Sequence, residues 1–429
     1  MVGAVSDLQP VLDKIDDRVD ELVELTRDLI RFPTINPPGE AYQPCAEYIG
    51  SRLAKRGFTI EYVRAVDAPG DCDAYPRINL VARREGSRSG PCVHFNGHID
   101  VVEVGSGWTV PPFDGLVKDG RVYGRGACDM KGGLASAIIA VEALIDTDPD
   151  YPGAIEISAT VDEESGGFGG VAYLAERGWF SAPRVDHVII PEPLNVDRVC
   201  IGHRGVWWAE IETKGRMAHG SMPFLGESAI RHMAAVLDRF EQKLYPKLAE
   251  RISDMPVVPE GARQSTLNIN SLHGGQAEGH DGLPASCVAD SCRMIIDRRF
   301  LIEESLDEVR SEITDILEDL VKSRPGFQFE IREMFAVEPS ISDKNGPVAA
   351  TTAAAIQEVL AVEPSFICSP GTYDQKHIDR IGKLKDCIAY GPGQLDLAHQ
   401  PDEWVGIDDM VAAAKVMALT ASRLLRRTA

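Results

Sequence analysis

What most constrains the fold of this chain is a change of rhythm in its apolar pattern. Up to about Gly205, short apolar runs alternate with helical periodicities. The runs Ile78–Arg83, Cys92–Asn96, Ala154–Val161 and His187–Ile190 read as strands, and Lys131–Ile145 as a helix among them. Ahead of these, Val19, Leu22, Val23, Leu25, Leu29 and Ile30 recur at helical spacing, as do Cys45, Tyr48, Ile49 and Leu53 beyond the loop FPTINPPGE. The alternation predicts an α/β domain, a mostly parallel sheet with helices on both faces.

After Gly205 the order becomes strand Val206–Lys214, helix Glu227–Leu248, strands Thr266–Leu272 and Cys287–Asp297, helix Leu306–Val321 and strand Phe327–Met334. That is a ferredoxin-like α+β plan. From about Pro339 the first rhythm returns with helix Val348–Leu360, strand Cys387–Tyr390 and helix Asp408–Leu425. The expectation is one discontinuous domain, residues 1–205 and 338–429, interrupted by a second at 206–337. A chain of 429 residues is long enough for two cores.

Charge narrows the function. Lys and Arg number 44 against 66 Asp and Glu, a net charge of −22. This argues against nucleic acid, which needs clustered cations for its phosphates, and against an anionic membrane surface. No apolar run reaches the roughly 18–20 residues of a membrane span. The start, MVGAVSDLQPVLDKIDDRVDE, has no basic segment leading into an apolar stretch, so no secretory leader is expected. The nine cysteines are odd in number, scattered and without a C-x-x-C pair, which fits reduced thiols in a cytoplasmic protein. A small-molecule substrate is the partner this leaves.

The chemistry lies at strand ends. CVHFN runs into His98 and Asp100, AIEISATV into Glu163 and Glu164, and HVII into Glu192. CIAY precedes a Gly-Pro-Gly loop and then His399, and Asp129 sits in GRGACDMKGG just ahead of a helix. Loops at the carboxyl ends of strands share one rim of an open α/β sheet. Two imidazoles and three carboxylates there suit a divalent ion, Zn²⁺ first, with Mn²⁺ or Co²⁺ as alternatives. Three carboxylates can serve one ion or two, the two-ion case spacing them about 3.5–4 Å apart. Of the adjacent Glu163 and Glu164, one can ligate while the other holds a proton as general base. Asp100 can orient the His98 ring.

The segments FNGHIDVV, GRGACDMKGG, ATVDEESGG, IIPEP and LAHQPDEWV resemble, in order and spacing, the M20-type metallohydrolases, among them acetylornithine deacetylase, succinyl-diaminopimelate desuccinylase, aminoacylase and carboxypeptidase G. The resemblance runs over essentially the whole chain. It implies a zinc-peptidase-like sheet with an inserted lid and dimerisation domain, and hence a homodimer. By the same resemblance His98, Asp129, Glu164, Glu192 and His399 are ligands, with Asp129 bridging. Glu163 is then the base and Asp100 the partner of His98. His219, in GRMAHGSMP, matches a lid histidine that reaches the partner subunit's site and polarises the scissile group. Arg298, in MIIDRRF, matches a lid arginine that binds a substrate carboxylate, and Asn268 is a similar candidate.

Two stretches depart from that pattern. PGTYDQKH places Tyr373, Gln375 and Lys376 where relatives carry small residues and an acid, and Arg204 opens the aromatic stretch RGVWW. Placing Arg204, Tyr373 and Gln375 at the substrate pocket turns specificity away from simple acetylornithine or succinyl-diaminopimelate. The activity expected is hydrolysis of a C–N bond in a small carboxylate-bearing molecule, as in a deacylase. Alternatives are a hydrolytic deaminase of an aromatic amino acid such as nitroanthranilate, an aminopyrimidine deformylase, and a dipeptidase or aminopeptidase. A non-catalytic binding protein would have no use for a free base such as Glu163. A serine hydrolase lacks its G-x-S-x-G, and a dinucleotide site lacks its G-x-G-x-x-G.

Overall fold

Every residue of the strand Pro152–Thr160 is buried, as an apolar run covered on both sides requires. The protein is described here from a computed structural model, over residues 8–276, 280, 282–283 and 285–427. The opening seven residues, on which the leader expectation partly rests, lie outside that range. Pro152–Thr160 pairs in parallel with Arg88–His98, which pairs with His187–Ile190, which pairs with Cys387–Ala389. These strands form the parallel centre of a nine-stranded sheet. Antiparallel strands flank it, Ile78–Glu85 and Thr59–Arg64 on one side and Arg198–His203 on the other. Helices Gly132–Thr147 and Ile407–Leu425 pack on each other and on the central strands. Both are apolar around most of their circumference, as helices enclosed in a core must be.

Register brings the strand ends level. His98 stands opposite Thr160, and Phe95 opposite Ile189. Three adjacent parallel strands therefore finish at one rim, and each passes directly into a loop bearing an acid or a histidine.

Contacts divide the chain into two compact units. One extends to Gly202 and takes in Ile341–Ile367 and the chain from Tyr373 onward; the other is His203–Ser340 with Cys368–Thr372. Cys368–Thr372, which the sequence pattern assigns to the first domain, groups with the second, where Cys368 bridges Val257.

The second unit is a four-stranded antiparallel sheet in the order Thr266–Gly274, Ser291–Phe300, Gly205–Lys214, Gln328–Val337. One side of Gly205–Lys214 and Ser291–Phe300 (Trp207, Ala209, Ile211, Met294, Ile296 and Phe300) joins Met233, Val236 and Phe240 of one helical stretch and Val309, Ile313 and Leu317 of another in a single core. The helix Leu306–Ser323 opens on a capping box between Ser305 and Glu308. The expected helix Glu227–Leu248 is instead Ala229–Arg239, a wide turn Phe240–Leu244 and Tyr245–Glu250. Pro246 supplies the reason: it has no N–H to give the carbonyl four residues back, and the Tyr245 N–H bonds Phe240 O. Very short strands escaped the pattern, among them Leu116–Lys118, Arg121–Tyr123 and Trp404–Gly406, which form a small separate sheet. Three residues cannot display a period.

Candidate metal centre and active site

Two glycines let the rim close up. A Cβ on Gly97 would lie 3.1 Å from the Leu134 side chain, so helix Gly132–Thr147 lies tight on the strand that ends in His98. A Cβ on Gly133 would lie 1.9 Å from Pro191 O, so the same helix start abuts the loop carrying Glu192. Asp129 is three residues before that helix, in the turn Ala127–Lys131. Asp162 and His399 both hold positive φ, at 63° and 64°. Polar residues are enriched among the non-glycine residues that tolerate this conformation, and here it turns two loops sharply into the site.

The five expected ligands meet. His98 Nε2 lies 3.1 Å from Asp129 Oδ1 and 3.9 Å from Glu192 Oε1. His399 Nε2 lies 3.5 Å from Asp129 Oδ2 and 3.0 Å from Glu164 Oε2. Asp129 thus stands between the two imidazoles. One donor atom from each of His98, Asp129 and Glu164 falls within 4.8 Å of the others. Ligands of one ion at about 2.0–2.2 Å must lie about that close together.

The tautomer of His98 is set from behind. Its Nδ1 lies 3.0 Å from the backbone carbonyl of Asp100, so it carries a proton, and Nε2 is the nitrogen that faces Asp129 and would bind an ion once deprotonated. The acceptor is the Asp100 carbonyl, while its carboxylate oxygen is 3.5 Å from the same nitrogen. That carboxylate has another task. It accepts the backbone N–H groups of Glu163 at 3.2 Å and Glu164 at 3.1 Å, and the Asn36 amide at 3.1 Å. Asp100 thereby holds the turn that presents both glutamates.

The charges ask for a cation. Burial, together with the Asp129 charge, pushes the Glu164 carboxyl up to about 7. Burial and Asp129 likewise hold Glu192 well above the carboxylate range. Burial also works against ionisation of Asp129, but hydrogen bonds from His399 and His98 more than reverse it and keep this acid well below its usual value. Hydrogen bonds to Asp129 and Glu164 raise His399 to about 10. Imidazolium charge and bound protons thus stand where a divalent ion would neutralise the same carboxylates. The donor set, borderline nitrogen with hard oxygen, fits such an ion.

Glu163 is paired with a cation rather than with either imidazole. Its Oε1 accepts a hydrogen bond from Lys376 Nζ at 2.8 Å, and its side chain is 12% exposed. His219 is exposed in the second unit, where its Nδ1 accepts the Ser221 N–H at 3.1 Å, so the neutral ring carries its proton on Nε2. Asn268 is exposed on the same sheet, its amide bonded to Asn270.

Four expected substrate contacts need correction. Arg298 is fully buried, its guanidinium 2.6 Å from Glu304 and also bonded to Ser265. Strand alternation explains it: Arg298 pairs with Trp207 on the helix-covered face, whereas Arg299 lies on the other face, bonded to Asp297. Tyr373 and Gln375 are buried too. The Tyr373 hydroxyl donates to Gln375 Oε1 at 2.6 Å, and the Gln375 amide donates to Ser342 Oγ and Cys387 O, so both are spent inside the core. Arg204 is buried with hydrogen bonds to the carbonyls of Pro370 and Gln264, and burial lowers it to about 10. The altered pocket inferred from these side chains, and with it the ground for the deaminase and deformylase alternatives, falls away.

Sequence reasoning missed Glu403. Its Oε1 accepts the backbone N–H groups of Cys128 at 2.9 Å and Asp129 at 3.1 Å, while Oε2 pairs with Arg125 at 2.7 Å. The available signal was an acid four residues after His399 in HQPDEWV.

Residues 94–423 match peptidase family M20/M25/M40. Succinyl-diaminopimelate desuccinylase of Polynucleobacter necessarius subsp. necessarius (strain STIR1) is 29% identical over 411 residues, 94% of this chain and 99% of its own length. The protein of that name from Methylobacillus flagellatus is 30% identical over 414 residues, with the same coverage of 94% and 99%. Among solved structures, human carnosine dipeptidase 1 superposes with a TM-score of 0.78 at 18% identity, over 98% of this chain and 99% of that one. A dinuclear metal-binding peptidase of Bacillus subtilis does so with a TM-score of 0.68 at 16% identity, over 96% and 100%. These structures speak to the fold alone. The match over most of the sequence does more: this chain belongs to peptidase family M20/M25/M40, a family of hydrolases.

Proposed function

We propose that this protein is a metal-dependent deacylase that hydrolyses the amide bond of a small, carboxylate-bearing N-acyl substrate. One observation carries the reading: five donors converge on one rim while the adjacent Glu163 stays out of the cluster. Two imidazoles and three carboxylates would hold one or two ions, Zn²⁺ first and Mn²⁺ or Co²⁺ as alternatives. Such an ion supplies Lewis acidity and lowers the pKa of water towards about 7. Glu163 takes a proton from the attacking water, the water oxygen bonds to the amide carbon, and the C–N bond breaks. Glu163 then delivers that proton to the departing nitrogen, so that an acid and an amine leave. Asp100 holds Glu163 and Glu164 at fixed places through their backbone N–H groups.

His219 serves as hydrogen-bond donor to the scissile carbonyl from a second copy of the chain, through the proton on Nε2. The exposed Met217, Met222, Phe224 and Leu225 around it support a homodimer formed through this unit. Arg299 replaces Arg298 as the candidate for the substrate carboxylate. All nine cysteines are free thiols, which supports a cytoplasmic setting. No helix among the described residues is long and apolar enough to cross a membrane.

A panel of N-succinyl, N-acetyl and N-formyl amino acids against free dipeptides, on protein loaded in turn with Zn²⁺, Mn²⁺ and Co²⁺, tests the reading. Chelator-sensitive release of the acyl group is the expected result. Preference for free dipeptides would overturn it, and so would undiminished turnover after the metal is stripped.

A further inference from the structure

We propose that Lys376 is the positioning residue that keeps Glu163 out of the metal cluster and poised as the base. This rests on the reading of Glu163 as the group that takes the proton from water. Glu163 and Glu164 are adjacent on the turn Glu163–Ser165 and are placed by the same Asp100 carboxylate, so their side chains leave in different directions and the group that each meets fixes its role. What differs is the partner. Glu164 is held by His399 at 3.0 Å, and Glu163 by Lys376 at 2.8 Å. Lys376 bonds Oε1 of Glu163, and on this proposal Oε2 is the oxygen that takes the proton.

The lysine is itself held. Its side chain is 2% exposed, and its neighbours Tyr373 and Gln375 are anchored in the core, which fixes the backbone it springs from. Asp374, also buried, accepts the Asn96 amide at 3.0 Å. Asn96 in turn accepts the Ser158 hydroxyl at 2.7 Å, and Ser158 lies 2.7 Å from His94 Nε2. A polar spine thus runs inside the sheet, on the strand that ends in His98, and reaches the Lys376 turn. An ammonium group is costly to bury; Asp374 and Glu192 also help to hold this one charged, but the carboxylate it hydrogen-bonds is that of Glu163.

The test is a double-mutant cycle on steady-state kinetics of the metal-loaded enzyme. K376M should lower kcat at least about tenfold with KM within about threefold and metal content unchanged, because binding is retained and the base is misplaced. K376R, which keeps the charge, should recover part of kcat. Combined with E163Q, K376M should change the residual kcat by less than about twofold, since Lys376 acts through Glu163. An undiminished kcat in K376M, a loss expressed in KM, or a full repeat of the loss in the E163Q background overturns the proposal. E163Q with more than about a tenth of wild-type kcat sinks the base assignment and this proposal together. If K376M does not fold, K376Q enters the same cycle, and a folded, metal-loaded K376Q with wild-type kcat is equally fatal.

Discussion

The carboxylate of Glu403 accepts the backbone N–H of Asp129 at 3.1 Å and so fixes the acid that stands between the two imidazoles. Its other oxygen pairs with buried Arg125. Removing the acid in E403A leaves two N–H groups without their acceptor and the guanidinium, still bonded to backbone carbonyls, without its counter-charge. We expect a loss of about 3–5 kcal/mol in unfolding free energy and a fall of about 10–100-fold in metal affinity. Denaturant titration and metal competition measure the two. Wild-type metal affinity in E403A would mean that the Asp129 loop is held by something else.

Protonation gives a second expectation, for protein stripped of metal. Glu164 is raised from 4.5 to about 7 and Asp374 from 3.8 to about 7, in both cases chiefly by burial. Their contribution is full below the unfolded values and is lost as pH rises through 7. His399, raised from 6.5 to about 10 by its bonds to Asp129 and Glu164, contributes below 6.5 and is lost as pH rises through 10. All three have the same sign, so metal-free protein loses stability from pH 5 to pH 8. Metal binds the deprotonated ligands. The Tm gap between loaded and stripped protein should therefore widen over that interval, as differential scanning fluorimetry would show. A gap that narrows contradicts the arrangement.

Arg298 and Arg299 should separate cleanly. R298A takes one of two arginine partners from Glu304, which keeps Arg251, and we expect about 1–3 kcal/mol of destabilisation. R299A should leave Tm within about 2 °C and raise KM about tenfold or more for carboxylate-bearing substrates. The reverse pattern would restore Arg298 to the role its motif suggests.

Subunit mixing checks the assignment of His219. H219A and E163Q should each be inactive alone. Mixed in equal amounts and allowed to exchange, they should regain about a quarter of wild-type turnover, since half the dimers carry one complete site. No recovery, with exchange verified, would confine His219 to its own chain.

The rim was legible because its signals are local. His98, Glu164 and Glu192 each follow an apolar run, and the carboxyl end of a parallel strand is where such a residue becomes useful. Arg298 was misread because face depends on register, and one position along a strand reverses it. Tyr373 and Gln375 look like pocket residues until the core they plug is known. Lys376 was noticed only as an irregularity: a lysine carries no pattern, and its partner Glu163 lies 213 residues away in the chain.

Val206 and Val337, where the second unit begins and finishes its sheet, are paired across adjacent antiparallel strands. Neighbours of that kind have Cα atoms about 5 Å apart. The strands that open and close this sheet therefore lie side by side, and the chain returns to the same unit only for the short stretch Cys368–Thr372. Insertions in the turns at the far end of that sheet would lengthen it without moving the two positions at which its first and last strands meet.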